Sequence, residues 1–280
     1  MRLFRKMLKT EIASRYPNGM KPVLGNRDAF LTKALFLGSL CLLWQILASR
    51  GDEFKLIPPL SEVFIALWLG LKSGEILTHV WFSLYLIAAG LFLGLFGAFL
   101  LTALYKVSRR ASFMIEILIS VMHPLPGIAL LPVIMLLVGL GPAAIIIVIV
   151  HSIIWPVIVN TVAGFNAVPK TQIELGKNLG FNGFRLVYLI MIPNAFPHIL
   201  SGLKIAWSRT WRALVSAEMI FGATGLNGGI GWYIYKKRYL MDVPEVFAGL
   251  LVIVVIGVLM DEILFKSLEK HTVVKWGMSK

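Results

Sequence analysis

Two arginines stand inside an apolar stretch near residue 210, where a charged side chain is costly and usually faces a protein interior or a water-filled path. Arg209 and Arg212 are three positions apart, so they lie on one helix face, with Ser216 one turn further along. Counted from a helix start near His198, Arg209 lies about 16 Å along the axis, close to mid-membrane. Planar guanidinium groups match small oxyanions such as carboxylate, sulfonate or nitrate. This face is therefore predicted to line the path of a small anion.

A structural role for the same arginines is the alternative, because buried charges are often held in ion pairs. The candidate partners are Glu218, Glu116 or backbone carbonyls, and a further alternative is that the long side chains extend to the membrane surface. Glu218 lies about 120° from Arg212 around the helix, which makes pairing within the helix poor. We therefore expect Glu218 to contact another helix or a second copy of the chain, and we keep it among the substrate-path candidates. His123 is a further candidate, although a lone histidine in an apolar helix more often bonds to a neighbouring carbonyl.

The sequence offers no group of residues that would make the chain an enzyme by itself. No Ser-His-Asp grouping can be assembled, and no spacing of His, Asp or Glu suggests a metal site. Cys41 is the single cysteine, so neither a disulfide framework nor a cysteine metal site is available. The phosphate-binding pattern Gly-x-x-x-x-Gly-Lys-Ser/Thr does not occur either. We expect no catalytic residue, no metal and no cofactor held by this chain.

The composition is that of a protein that crosses a membrane several times. Hydrophobic residues make up 58% of the 280 residues and charged residues only 15%, and the mean hydropathy is +0.82. A bilayer core takes about 20 apolar residues of helix. Six runs qualify: Leu31 to Ala48, Ile76 to Leu104, Phe113 to Gly139, Pro142 to Phe165, His198 to Phe221 and Val243 to Phe265. They predict an all-α transmembrane bundle of about six helices, in which Pro124, Pro126 and Pro132 break the third.

The positive charges indicate how the chain is oriented. A net charge of +13 would suggest nucleic acid in a soluble protein. Here the basic residues cluster at the ends of apolar runs, which favours anionic lipid as the partner and no nucleic acid. Lysine and arginine are more frequent in cytoplasmic segments, which predicts cytoplasmic termini and leaves Lys236, Lys237 and Arg238 outside. The chain then divides into a basic lead-in at 1–30, a transmembrane domain at 31–265 and a tail at 266–280.

The segment between the fourth and fifth predicted helices, about residues 165–197, is long and would face the cytoplasm. Pro169 to Gly180 is typical of a short amphipathic helix, because a proline suits its first turn and a glycine can end it. Glu174 would then lie on a face that is free for a partner. A second helical stretch, Phe184 to Ile192, is expected to end at Pro193.

The same segment resembles the cytoplasmic loop signature of ABC importer permeases. That signature is Glu-Ala-Ala, three residues, Gly, nine residues, then Ile-x-Leu-Pro. At the same spacing this chain has Glu174-Leu175-Gly176, Gly180 and Ile190-Met191-Ile192-Pro193. The departures are Leu175 and Gly176 in place of the two alanines and Ile192 in place of leucine.

Further motifs resemble the branch of these permeases that imports nitrate, sulfonates, taurine and related small anions. They are Pro58-Pro59-Leu60-Ser61-Glu62-Val63, Pro124-Leu125-Pro126, Trp211-Arg212 followed by Ala217-Glu218-Met219, and Gly228-Gly229-Ile230-Gly231 after Gly225-Leu226. The resemblance runs from Leu56 to the end of the sixth predicted helix. It implies a type I importer-like permease in the bacterial inner membrane. Such a subunit works as a dimer, here expected to be a homodimer, with two cytoplasmic ATPases and an external solute-binding protein.

The resemblance also implies how the long loop would act. Its helix would sit in a cleft of a separate ATPase subunit, which binds ATP and Mg²⁺, and closure of two ATPases would switch the permease between inward-facing and outward-facing states. The implied coupling residues are Glu174, Leu175, Gly176, Lys177, Gly180 and Pro193. The alternatives are a secondary transporter, a permease for a cation or neutral solute, and a membrane-embedded enzyme or scaffold. A secondary carrier often shows two related halves, whereas this loop has no counterpart in the first half.

Overall fold

The computed structural model describes residues 26–49, 57–221, 228–275 and 277, and within these ranges every regular element is helical. The helices are α1 Asn26–Ser49, α2 Leu60–Lys72, α3 Glu75–Val107, α4 Arg109–Met122, α5 Leu131–Val138, α6 Pro142–Asn166, α7 Lys170–Asn178, α8 Ile192–Phe221, α9 Ile230–Tyr239 and α10 Val243–Leu259. Shorter helical segments are Gly127–Leu130 before α5, Phe184–Leu186 and Val187–Met191 before α8, and Met260–Phe265, Lys266–Glu269 and Lys270–Val274 after α10. The predicted all-α fold is confirmed, whereas residues 1–25 of the basic lead-in lie outside the described residues.

Five helical runs among the described residues are long and apolar enough to cross a membrane. They are Leu31–Ser49, Glu75–Val107, Pro142–Asn166, Phe184–Ile220 and Val243–Val274. A sixth crossing exists only if α4 and the run Gly127–Val138 count as one span, and these two are bent by 89°. Pro124 and Pro126 lie at this bend, where each proline removes a backbone donor. The third predicted helix is therefore two helices joined at a sharp break.

The fifth span begins at Phe184, so the expected start near His198 is wrong, as is the expected helix end at Pro193. The helical run continues through Pro193 and Pro197 into α8. A π-helical segment, Val187–Met191, lies just before the first proline, and widening of this kind accommodates irregular backbone bonding. Asn194 also donates from Nδ2 to the carbonyl of Ile190 at 2.7 Å. The sixth span likewise runs on to Val274, into the expected tail.

Helix α6 lies at the centre of the bundle. It packs against α3 on one side and α8 on the other, and 50% of its most apolar window is buried, more than in any other described span. On α3, a Cβ added to Gly90 would come 2.1 Å from Cγ2 of Ile149, and one added to Gly94 would come 2.9 Å from Cβ of Ile153. The glycines of α3 therefore allow its backbone to approach α6 within a single chain.

We predict that a side chain added at this contact lowers the stability of the folded chain. Gly90→Ala should destabilise the folded chain by about 1–3 kcal/mol, because the stiff β-branched side chain of Ile149 occupies the space that the new methyl group needs. Thermal unfolding of the detergent-purified protein measures this as a lower melting temperature. Gly38→Ala is the matched control, since nothing lies within 4 Å of a Cβ at that position of α1. Equal melting temperatures for Gly90→Ala and wild type would contradict the packing.

Candidate functional site

The break between α4 and α5 opens a cavity of about 440 Å³ beside α6 and α8. Four of the five substrate-path candidates line this cavity: Arg209, Arg212 and Ser216 from α8 and His123 from the break. The other lining residues are Pro124, Leu125, Pro126, Gly127, Ile128, His151, Ser152, Trp155 and Ala213. The structure therefore brings together residues that are up to 93 positions apart (216 − 123). Their role in binding a substrate stays a prediction.

Neither arginine is paired with an acid among the described residues. Arg212 donates from Nε to the carbonyl of Ser208 on its own helix at 3.1 Å, which leaves its terminal nitrogens available. Arg209 has only long contacts of 3.5 Å to the carbonyl oxygen and ring of His123. Glu116, a candidate partner from the sequence, instead accepts from the hydroxyl of Tyr105 at 2.7 Å. The cavity thus contains two guanidinium groups whose hydrogen-bonding capacity is largely unused.

Helix α6 forms a further wall of the cavity, and the sequence did not place its residues His151, Ser152 and Trp155 among the substrate-path candidates. The indole Nε1 of Trp155 is buried there without a hydrogen-bond partner among the described residues, and Ser152 donates to the carbonyl of Val148 at 2.8 Å. A Cβ at Gly127 would lie 2.7 Å from Oγ of Ser152, so a glycine lets the break approach α6. A polar stretch at 151–152 inside an apolar run was the available signal. An unpartnered N–H in this wall suits an acceptor that is absent from the chain itself.

Glu218 lies on another face of α8, outside the cavity lining. Its side chain is 1% exposed, and its carboxylate accepts from the hydroxyl of Ser83 at 2.8 and 2.9 Å. The backbone N–H of Gly231 also donates to it at 2.9 Å. Because Ser83 is on α3, the expected contact of Glu218 with another helix is confirmed. Its proposed place in the substrate path has no support from the cavity.

The predicted loop helix is present as α7, Lys170–Asn178, with Pro169 directly before it. Gly180 has a φ of +82°, a conformation that glycine adopts without strain, and its N–H donates to the carbonyl of Lys177 at 2.9 Å. Glu174, Leu175 and Lys177 are exposed. The remaining coupling candidate, Pro193, lies apart from them inside the helical run that leads into α8.

Gly176 is the buried side of α7. A Cβ at this position would lie 2.8 Å from Cδ1 of Leu186 and 3.0 Å from Cγ1 of Ile190. Both side chains belong to the helical run that continues into α8. The helix α7 therefore rests directly on the N-terminal end of the span that carries the two arginines.

Comparisons with known proteins agree with this architecture. Residues 62–272 match the family model described as binding-protein-dependent transport system inner membrane component. The chain is 26% identical over 279 residues to the putative aliphatic sulfonates transport permease protein SsuC of Bacillus subtilis, covering 98% of this chain and 99% of that protein. It is 29% identical over 241 residues to the bicarbonate transport system permease protein CmpB of Synechocystis, covering 79% and 81%. It is 26% identical over 236 residues to the taurine transport system permease protein TauC of Escherichia coli, covering 81% and 84%.

A solved structure shares the fold at low sequence identity. It is described as the crystal structure of an amino acid ABC transporter with histidines, and one of its chains is 17% identical with a TM-score of 0.53. The alignment covers 72% of this chain and 94% of that one. Together with the family match over residues 62–272, the helical bundle and the loop helix α7, this identifies the protein's class. The chain belongs to the family of binding-protein-dependent transport system inner membrane components, as a multi-pass permease subunit of an ABC importer of the nitrate, sulfonate and taurine type.

Proposed function

We propose that this chain forms half of the membrane pathway for a small anion and that separate ATPase subunits drive it by binding at α7. The observation that carries the proposal is the packing of α7 on the helical run before α8. Its buried Gly176 rests on Leu186 and Ile190, while Glu174 and Leu175 face outward. A partner that pressed on the outer face would push directly on the helical run that leads into α8.

An apolar surface next to α7 suits a protein partner. Leu175 is 58% exposed and Leu179 63% exposed. Phe184 and Tyr188 stack at 6.1 Å on the adjoining run and are also exposed. Exposed aromatic and aliphatic side chains beside charged ones are typical of protein interfaces. The partner would bind ATP and Mg²⁺ and carry out the hydrolysis, so this chain would need no cofactor of its own.

The distance from α7 to the cavity is spanned by one helical run. Between Ile190, which contacts α7, and Arg212, which lines the cavity, the run rises about 33 Å at 1.5 Å per residue. A continuous run of helix transmits a push with little loss of displacement, because packed interiors are hardly compressible. This arrangement supports Glu174, Leu175, Gly176, Lys177 and Gly180 as the coupling residues, with Pro193 inside the connecting run.

The cavity supports an anion as the substrate class. It is lined by two guanidinium groups that have no acidic partner among the described residues and by an indole N–H that is unpartnered there, so it offers hydrogen-bond donors and positive charge. The relatives are described as permeases for aliphatic sulfonates, taurine and bicarbonate. These solutes carry oxyanion groups that match such donors. Arg209, Arg212, Ser216 and His123 are the residues we place on the path, and Glu218 is given another role below.

The proposed assembly contains two copies of this chain, two ATPase subunits and an external solute-binding protein, within membrane lipid. Both termini would be cytoplasmic, and the basic cluster near residue 237 is compatible with that orientation. Lys237 forms ion pairs with Glu75 and Glu245, and Lys236 lies 3.5 Å from Glu75. Burial lowers the pKa of Lys237, but hydrogen bonds to the two carboxylates raise it more, so the net pKa lies above the ordinary value. The charge of Lys237 and part of that of Lys236 are thus neutralised by neighbouring acids.

Reconstitution of the complete complex tests the proposed function. Proteoliposomes that contain this chain and its ATPase partner, with the solute-binding protein outside, should accumulate labelled taurine or an alkyl sulfonate only when ATP is inside. A matched preparation with a hydrolysis-deficient ATPase should accumulate none. Uptake that persists without ATP and follows an ion gradient would overturn the proposal in favour of a secondary transporter.

A further inference from the structure

The N-terminal end of α9 is held by two polar side chains from other helices. The backbone N–H of Gly231 donates to the carboxylate of Glu218 on α8 at 2.9 Å. The N–H of Ile230 donates to the hydroxyl of Ser83 on α3 at 2.9 Å, and that hydroxyl donates to Glu218. Helix N-termini attract negative charge because their first N–H groups lack intrahelical partners. Glu218 and Ser83 therefore supply in trans the bonds that a capping residue would supply.

Glycines make this close approach sterically feasible. A Cβ at Gly229 would lie 1.9 Å from Oε1 of Glu218, and one at Gly231 would lie 2.4 Å from the carbonyl oxygen of Val215. Any other residue at either position would force the carboxylate or α8 away. Two motifs that the sequence shows separately, Ala217-Glu218-Met219 and Gly228-Gly229-Ile230-Gly231, thus form one contact.

Both ends of α9 are bonded to α3, and the N-terminal end is also bonded to α8. At its C-terminal end Lys237 forms ion pairs with Glu75 of α3 and Glu245 of α10. Its N-terminal end depends on Glu218 for its connection to α8 by hydrogen bonds, and the ring of His79 contacts the carbonyl of Gly228. The bond from Gly231 to Glu218 is a polar connection between α9 and the span that begins beside α7.

We infer that Glu218 is a positioning residue that fastens α9 to α8, so that α9 moves with α8 when the span shifts during transport. This inference rests on the proposed function, because α8 is moved by the ATPase through α7. Ser216, two residues earlier on α8, lines the cavity, so the same turn of helix carries a cavity residue and the anchor of α9. Displacement of α8 would then reposition α9 and the cavity wall together. This would couple opening of the pathway on the outer side of the membrane to the state of the ATPases.

Hydrogen exchange of the α9 amides tests the fastening without any partner protein. In Glu218→Ala, exchange in a peptide covering Ile230–Tyr239 should quicken by about tenfold or more, since buried donors lose their acceptor. Ser83→Ala should give a smaller increase confined to the same peptide, and Glu218→Gln should be intermediate because it keeps an acceptor but not the charge. Ile220→Ala is the control and should match wild type, because Ile220 is an exposed residue of α8, the helix that carries Glu218.

The complete transporter supplies the functional readout. In Glu218→Ala the ratio of ATP hydrolysis with loaded binding protein to hydrolysis without it should fall several-fold, and Glu218→Gln should recover part of the ratio. Unchanged α9 exchange in Glu218→Ala would overturn the fastening, and quicker exchange with an unchanged ratio would overturn its part in transport. If Glu218→Ala unfolds the whole chain, Ser83→Ala replaces it as the test. Quicker exchange that is confined to the α9 amides of Ser83→Ala supports the inference, whereas equally quicker exchange throughout the chain overturns it. A wild-type complex that imports no anion would refute the proposed function alone.

Discussion

Replacing Arg212 with alanine is expected to lower ATP-driven anion uptake by roughly tenfold or more, while the chain still inserts and binds its ATPase. The guanidinium of Arg212 lines the cavity, and no described residue bonds its terminal nitrogens, so they can bind an oxyanion. Loss of one hydrogen bond to a charged group costs about 1.5–3 kcal/mol, and each 1.4 kcal/mol is about tenfold in affinity. Initial uptake rates of a labelled alkyl sulfonate into proteoliposomes, measured over a range of substrate concentrations, give the effect.

Two further variants separate charge from geometry. Arg212→Lys keeps the positive charge but loses the planar fork, so its uptake should lie between wild type and Arg212→Ala. Lys204→Ala removes an exposed cation from the same helix outside the cavity lining, and its uptake should equal that of wild type. Unchanged uptake in Arg212→Ala, or an equal loss in Lys204→Ala, would remove the arginines from the substrate path.

The helical content and the cavity face of α8 could be predicted because they depend on local pattern. Apolar runs of membrane length set the spans, and the spacing of Arg209, Arg212 and Ser216 set one face. The loop helix could be predicted as well, since Pro169 and Gly180 mark its ends. Each of these features is decided by residues within a few turns of one another.

The features that could not be predicted depend on contacts between distant residues. The contact of Glu218 with Ser83 joins positions 135 residues apart, and one-helix geometry shows only that Glu218 points away from Arg212. The 89° bend after α4 depends on how the break packs on α6. The positions of the prolines indicate that the helix breaks, but they do not indicate the angle of the bend. The continuation of helix through Pro193 reflects the π segment before it, which outweighs the usual tendency of proline to end a helix.

The second large effect is expected where α7 packs on the helical run before α8. Gly176→Phe should reduce ATP-driven uptake by about tenfold or more, because the new ring cannot share the space of Leu186 and Ile190 and must lift α7 off the run that leads to α8. Membrane insertion should be unaffected, since the substitution lies outside the apolar spans among the described residues. Uptake and ATP hydrolysis of the reconstituted complex are measured side by side, and hydrolysis per anion imported should rise.

Gly176→Ala is the matched control at the same position. Its methyl group meets the flexible end of Leu186 at 2.8 Å, which can shift, and alanine occupies this place in the loop signature, so uptake should stay near the wild-type rate. Glu174→Arg tests the exposed face of α7, because it reverses an exposed charge without disturbing the packing of Gly176. It should uncouple hydrolysis from uptake through altered contact with the ATPase. Normal uptake in both Gly176→Phe and Glu174→Arg, with the ATPase still bound, would show that α7 transmits no force and that coupling occurs elsewhere on the chain.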